Sequence, residues 1–274
     1  MSSSSSNILP EKAHPASAIM NHLAAAGNDN LEDVVSTVVG LCYEMRKSGG
    51  RLDAMLCCGQ DLALKNVTRA RSQFSHIESA VEKKQAMQLR LCDMGIEDYF
   101  FCADYEHLIG TEIGLLQQAL AARALDINDM ASVFLGSGAL PVSPLMIARK
   151  SGRPVQCVDM DIQANDMARG LLSKIDPEGA LSITDSTAED FDYSGADIVY
   201  MASLIAPKRD VLAQIAKYKT RFVMIRTVDD SFDMIYEPFD QEMIESLGFR
   251  KCSQTALCNE CMHQTILLEN KAFV

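Results

Sequence analysis

The sequence predicts an α/β protein in which an all-helical N-terminal part is followed by a parallel sheet crossed by helices. Up to about residue 127, apolar residues recur at helical spacing with few strand signals; beyond it, short apolar runs alternate with helical stretches. A third observation is the turn "GSG" at 136–138, placed where the first apolar run gives way to a helix.

The elements follow in order. Residues 1–15, opening "MSSSSSNILP", read as a disordered tail, since a serine-rich stretch has little apolar surface to bury. In 16–127, "NLEDVVSTVVGLCYEMRKSG", "ARSQFSHIESAVEKKQAMQLRL" and "DYEHLIGTEIGLLQQALAARAL" read as the helices of one domain. The join "LDINDM" is short and polar, which suits two domains packed together rather than tethered. In 128–274, "SVFLGSG", "PVQCVDMD", "ADIVYMAS" and "RFVMIRTV" read as buried parallel strands, with "TILLE" as a terminal strand. Between them "SPLMIARKSG", "IQANDMARGLLSKI" and "KRDVLAQIAKY" supply crossover helices, a Rossmann-like βαβ alternation.

Composition narrows the function. A formal net charge of −12 opposes a nucleic-acid partner, whose phosphates are held by lysine and arginine. The start has no cationic segment leading into an apolar core, and no run of 18 apolar residues occurs, so neither secretion nor membrane spanning is expected. Nine cysteines without the density of a stapled mini-protein fit a reduced compartment, and the expected location is the cytoplasm.

Gly136 and Gly138 flank Ser137 after a strand and before a helix, and the next strand ends in Asp159, where a carboxylate can accept hydrogen bonds from ribose hydroxyls. Pro141 stands where a dinucleotide fingerprint needs its third glycine, and no Walker lysine follows, so a tightly bound pyrophosphate is disfavoured. An unphosphorylated nucleoside fits better, and S-adenosylmethionine, a cationic adenosine derivative, suits an acidic pocket. Asp185, after the third strand, then falls near the adenine edge. The plain alternative for Asp159, Asp161 and Asp185 is a solvated strand-end carboxylate or a helix cap.

"VFLGSGALPVSPLMIA", "MASLIAPKRDVL" and "RTVDDSFDMIYEPF" closely resemble nicotianamine synthases and their bacterial relatives, the aminobutanoyltransferases that make opine metallophores. The resemblance covers about residues 65 to 270. It implies a helical domain over a Rossmann-like domain of the S-adenosylmethionine-dependent methyltransferase type. It further implies an enzyme that transfers the 3-amino-3-carboxypropyl (aminobutanoyl) group of S-adenosylmethionine to an amino-acid amine, releasing methylthioadenosine, with no metal required for catalysis. The nucleoside pocket is then assigned to Gly136, Ser137, Gly138, Leu140, Pro141, Asp159, Met160, Asp185 and Ser186.

An ammonium must lose a proton before it can attack the donor's γ-carbon. The resemblance gives that work to Glu78 with Tyr105. Helical spacing supports the first: Phe74, Ile77 and Val81 form an apolar stripe, and Glu78 lies on its edge, with Glu82 one turn later as the rival base. Arg226, ending the strand "RFVMIR", is placed to hold a substrate carboxylate bidentately, and Tyr236 to line the same pocket. Asp229 and Asp230 depart from the small residues of the metallophore relatives, which leaves the acceptor open. A homodimer is possible, and the oligomeric state is equally open. "CNECMH" brings Cys258, Cys261 and His263 together with Cys252 nearby, but a single CxxC falls short of a zinc set; adjacent Cys57 and Cys58 read as core thiols. Two other classes share the nucleoside pocket: a small-molecule methyltransferase and an inert nucleoside-binding regulator.

Overall fold

A computed structural model describes residues 15–47, 60–92, 94–99, 102–256 and 261–273. Four helices come first: α1 (Pro15–Ala24), α2 (Leu31–Lys47), α3 (Gln60–Leu91) and α4 (Cys102–Ala121). The expected tail falls outside the described residues except Pro15, where α1 begins, and Cys57, Cys58 and Cys258 also lie outside them. The stripe on α3 is as anticipated: Phe74, Ile77 and Val81 are buried and pack with α1 and α2.

One seven-stranded sheet follows, built from β1 (Ser132–Leu135), β2 (Val155–Asp159), β3 (Leu181–Asp185), β4 (Ile198–Met201), β5 (Phe222–Thr227), β6 (Phe249–Gln254) and β7 (Gln264–Asn270). Its order is β3-β2-β1-β4-β5-β7-β6, with β1 to β5 parallel and β7 inserted antiparallel between β5 and β6. The apolar runs of β1, β4 and β5 are buried throughout because helices cover both faces. Helices α5 (Val142–Ser151), α6 (Ile162–Ile175) and α7 (Lys208–Ile215) are the crossovers. Gly152, in the left-handed region at φ 67°, ends α5, and Asp161 starts α6 by accepting the Ala164 N–H at 3.1 Å.

On one face, Ile109, Ile113 and Leu116 of α4 join α5 and α6 over Phe134, Tyr200 and Met224; on the other, Val211, Leu212 and Ile215 of α7 cover Leu135, Val199 and Ile225. A third cluster seats α1, α2 and α3 on Val228, Phe232, Met234, Ile235 and Tyr236, the chain just beyond β5. That docking brings α3 over the carboxyl ends of the central strands. In an open α/β sheet the crevice for a ligand lies there, where β1 and β4 are neighbours and their connections leave in opposite directions.

Candidate active site

Two chambers meet beneath α3. The outer one, a cavity of about 370 Å³, is walled by Gly136 and Gly138, by Asp159, Met160 and Asp161 after β2, and by Ser186, Thr187 and Ala188 after β3. The inner one, about 80 Å³, is walled by Glu78, Tyr99, Tyr105, Ser137, Leu140, Ser143 and Arg226. A side chamber of about 40 Å³ continues from Glu78 and Tyr105 to Tyr43, Leu108, Met262 and His263.

Backbone chemistry explains the glycine turn. Gly136 and Gly138 have φ of 78° and 67°, a region that costs other residues energy. A Cβ on Gly136 would meet Ala202 and Ile205 at 3.1 Å, and one on Gly138 would collide with the Glu82 carboxyl. The turn is therefore a floor on which side chains from α3 and from the β4–α7 connection close down. Ser137 is buried there, its hydroxyl without a partner, and Pro141 leads into α5 with its carbonyl accepting the Leu145 N–H.

Asp159 lines the outer chamber and accepts a backbone N–H on each oxygen: Gly138 at 2.9 Å and Asp161 at 2.9 Å. Each carboxylate oxygen has a second lone pair left for a ligand hydroxyl. Met160 is exposed, 74% accessible, and Ser186 lines the same chamber. Asp185 is turned elsewhere. It is exposed, outside the chamber wall among the described residues, and its Oδ1 accepts from Asn165 Nδ2 at 2.8 Å and Arg169 Nη2 at 2.7 Å. Those hydrogen bonds hold its carboxyl below the usual range.

The catalytic candidates meet in the inner chamber. Tyr236 Oη donates to Glu78 Oε1 at 2.9 Å, and Glu78 Oε2 is buried without a partner. Burial pushes the Glu78 carboxyl up to about 7 against the lowering effect of that hydroxyl. Tyr105 lines both inner and side chambers and stacks on Tyr99 with ring centroids 6.0 Å apart; burial raises its hydroxyl well above the ordinary tyrosine value. Tyr236 stands behind Glu78 rather than in the chamber wall, wedged edge-on between Phe74 and His263. Glu82, the rival base, is in the site as well. Its Oε1 accepts the Leu140 N–H at 2.9 Å, and burial pushes its carboxyl up to about 8.

Arg226 reaches the inner chamber with most of its fork engaged. Nε and Nη2 donate to the two Glu112 oxygens at 2.9 and 3.0 Å, and Nη1 donates to Ser143 Oγ at 3.0 Å. The bidentate carboxylate partner that the strand-end position suggests is thus supplied by α4 of the same chain. Asp229 ion-pairs with Arg46 of α2, which also donates to the carbonyls of Cys261 at 2.8 Å and Met262 at 3.4 Å; its role is to tie helices to the loop after β5. Glu112, Tyr99 and Ser143 escaped the sequence reading, and His263 entered it only as a weak metal-ligand candidate. Glu112 had a signal: it is the lone charge among Ile109, Ile113 and Leu116, on a face that is otherwise apolar. His263 is kept neutral, its imidazole pushed down to about 3 by burial and by the charges of Arg226, Lys208 and Arg46. Among the described residues no group of three or more His, Cys, Asp or Glu is placed to hold a metal ion. No helix among them is long and apolar enough to cross a membrane.

Known proteins match this architecture. The family model "Nicotianamine synthase protein" matches residues 62–274. An L-histidine 2-aminobutanoyltransferase of Yersinia pestis is 32% identical over 163 residues, covering 55% of this chain and 59% of that protein. One of Pseudomonas aeruginosa is 27% identical over 244 residues, covering 83% of this chain and 87% of its own length. The solved structure of MtNAS in complex with MTA and tNA aligns at a TM-score of 0.72 and 16% identity, over 93% of this chain and 96% of that one, a likeness of fold.

Proposed function

The chain belongs to the nicotianamine synthase family, and from that premise we propose that it transfers the aminobutanoyl group of S-adenosylmethionine to the amine of an amino acid, with Glu78 as the base. The outer chamber takes the adenosine, its ribose on Asp159, and the aminobutanoyl chain points into the inner chamber. Histidine heads the acceptor candidates, because the Yersinia and Pseudomonas relatives are histidine 2-aminobutanoyltransferases.

The observation that carries the reading is Glu78 Oε2, buried at the junction of inner and side chambers with no partner of its own. A carboxyl pushed up to about 7 exchanges its proton near neutral pH, which is what a base acting on an ammonium needs. Glu78 receives the ammonium proton. The freed nitrogen lone pair forms a bond to the γ-carbon, the carbon–sulfur bond breaks, and sulfur keeps the electron pair to leave as neutral methylthioadenosine. Tyr105 orients the amine from the opposite wall, and Arg226, through Ser143 and Glu112, fixes the end of the chamber where a carboxylate terminates.

Mass spectrometry of products after incubation with S-adenosylmethionine and a panel of amino acids tests this. The expected result is methylthioadenosine with an acceptor heavier by one aminobutanoyl unit. Adenosylhomocysteine as by-product would establish methyl transfer instead, and no turnover with tight donor binding would make the chain a nucleoside-binding regulator.

A further inference from the structure

We propose that Glu82 is the counter-ion of the donor's sulfonium, and that it lets the site hold the cationic donor yet release the neutral thioether product. The inference rests on the reaction proposed above. Glu82, Gly136 and Leu204 wall both the outer and the inner chamber. With adenosine in the first and the aminobutanoyl chain in the second, the sulfur that joins them lies at this seam, and of the three residues only Glu82 can ionise.

The geometry suits a fixed cation. Glu82 overhangs Gly138, where any Cβ would collide with its carboxyl, so the turn is shaped to receive it. Its Oε1 takes the Leu140 N–H at 2.9 Å. Lys83, next along α3, is committed to Asp161 at 2.6 Å. The other groups facing Glu82 are Glu78 one turn earlier, Asp159 from the end of β2, and the Tyr99 hydroxyl, with Tyr105 beyond it. Burial and the two carboxylates push Glu82 up to about 8. In the empty site at neutral pH it therefore carries a proton. A sulfonium alongside reverses that preference, and the proton leaves to solvent as the donor binds. Once the carbon–sulfur bond has broken, sulfur is uncharged, Glu82 takes a proton back from solvent, and the attraction ends.

The test is calorimetric titration of wild type and Glu82→Gln with S-adenosylmethionine and with methylthioadenosine, in buffers of differing ionisation enthalpy. Glutamine keeps an acceptor for the Leu140 N–H, so methylthioadenosine affinity should stay within roughly twofold while the sulfonium ligand weakens by about tenfold or more. Wild type should release roughly one proton per S-adenosylmethionine bound, a release missing with methylthioadenosine and in the variant. Equal weakening toward both ligands, unchanged S-adenosylmethionine affinity, or undiminished proton release in the variant would each overturn the counter-ion role and leave the reaction intact. A wild-type chain that binds neither ligand would overturn both.

Discussion

Glu78 is pulled two ways: burial favours its protonated form, and the Tyr236 hydroxyl at 2.9 Å favours the carboxylate. Removing the hydroxyl should therefore strengthen its hold on the proton. In Tyr236→Phe the acid limb of the kcat/KM profile should move to higher pH, and a profile identical to wild type would show that the hydrogen bond is not felt during turnover. Glu78→Gln should keep donor affinity while losing about 10² in rate, the usual worth of a positioned base. Raising pH should partly restore it, since more amine then arrives deprotonated; rates that stay near normal at every pH would reduce Glu78 to a structural role. The resemblance pointed to this residue, and what the sequence showed by itself was its inward placement, since it borders the buried Phe74, Ile77 and Val81 stripe. The place of His263 beside Tyr236 was not visible, since it depends on β7 pairing with β5, a contact between residues far apart in the chain.

Helix α4 is fastened to the sheet by a buried network. Arg226 on β5 and Thr265 on β7, the latter donating at 2.6 Å, both serve the Glu112 carboxylate. Arg226→Ala strands that carboxylate in the interior and should cost about 3–5 kcal/mol in denaturant unfolding. Arg226→Lys keeps the charge without the planar fork and should fall in between while still impairing turnover. The double variant Arg226→Met/Glu112→Leu should regain most of the stability, as apolar replacement of a buried pair often does; a double variant as unstable as Arg226→Ala would mean that the pair itself stabilises the fold. The central strands were legible as short apolar runs and the crossover helices by their periodicity. Strand β6 was not: "FRKCSQ" carries two charges and occupies the sheet edge, where strand patterning is weakest. Helix α1 begins at the end of the expected tail, and its apolar residues gain a partner only when α2 and α3 are in place.

Across the whole molecule, protons couple to folding in opposite senses at different groups. Glu78 at about 7 and Glu82 at about 8, against an ordinary 4.5, bind protons more tightly folded than unfolded, so stability should fall as pH rises through that window. Glu269 runs the other way. Burial would raise it, but Arg123 and Arg250 hold it down to about 2, so its contribution is present above pH 4.5 and lost as pH falls toward 2. His263, held at about 3 against an ordinary 6.5, likewise adds stability as pH rises between those values, and in thermal unfolding of the ligand-free protein Glu78→Gln with Glu82→Gln should flatten the decline on the alkaline side. A slope unchanged in that double variant would locate the titration elsewhere. The overall α/β class needed only the two periodicities in the chain. The enclosure between α3 and the sheet did not show, because it arises from docking rather than from any local pattern.

Helix α3 also serves as a ruler. Glu78 and Glu82 are four residues apart on one continuous helix, so with the roles proposed above the donor's sulfur and the acceptor's nitrogen would be gauged by a rise of about 6 Å rather than by the reach of a loop. Such a gauge is insensitive to changes in the surface connections, which are free to vary without altering the attack distance. It is intolerant of slippage. A single alanine inserted between the two glutamates would swing one of them about 100° off the shared face, and with it the half of the helix that carries Ala86 and Leu89 into the core.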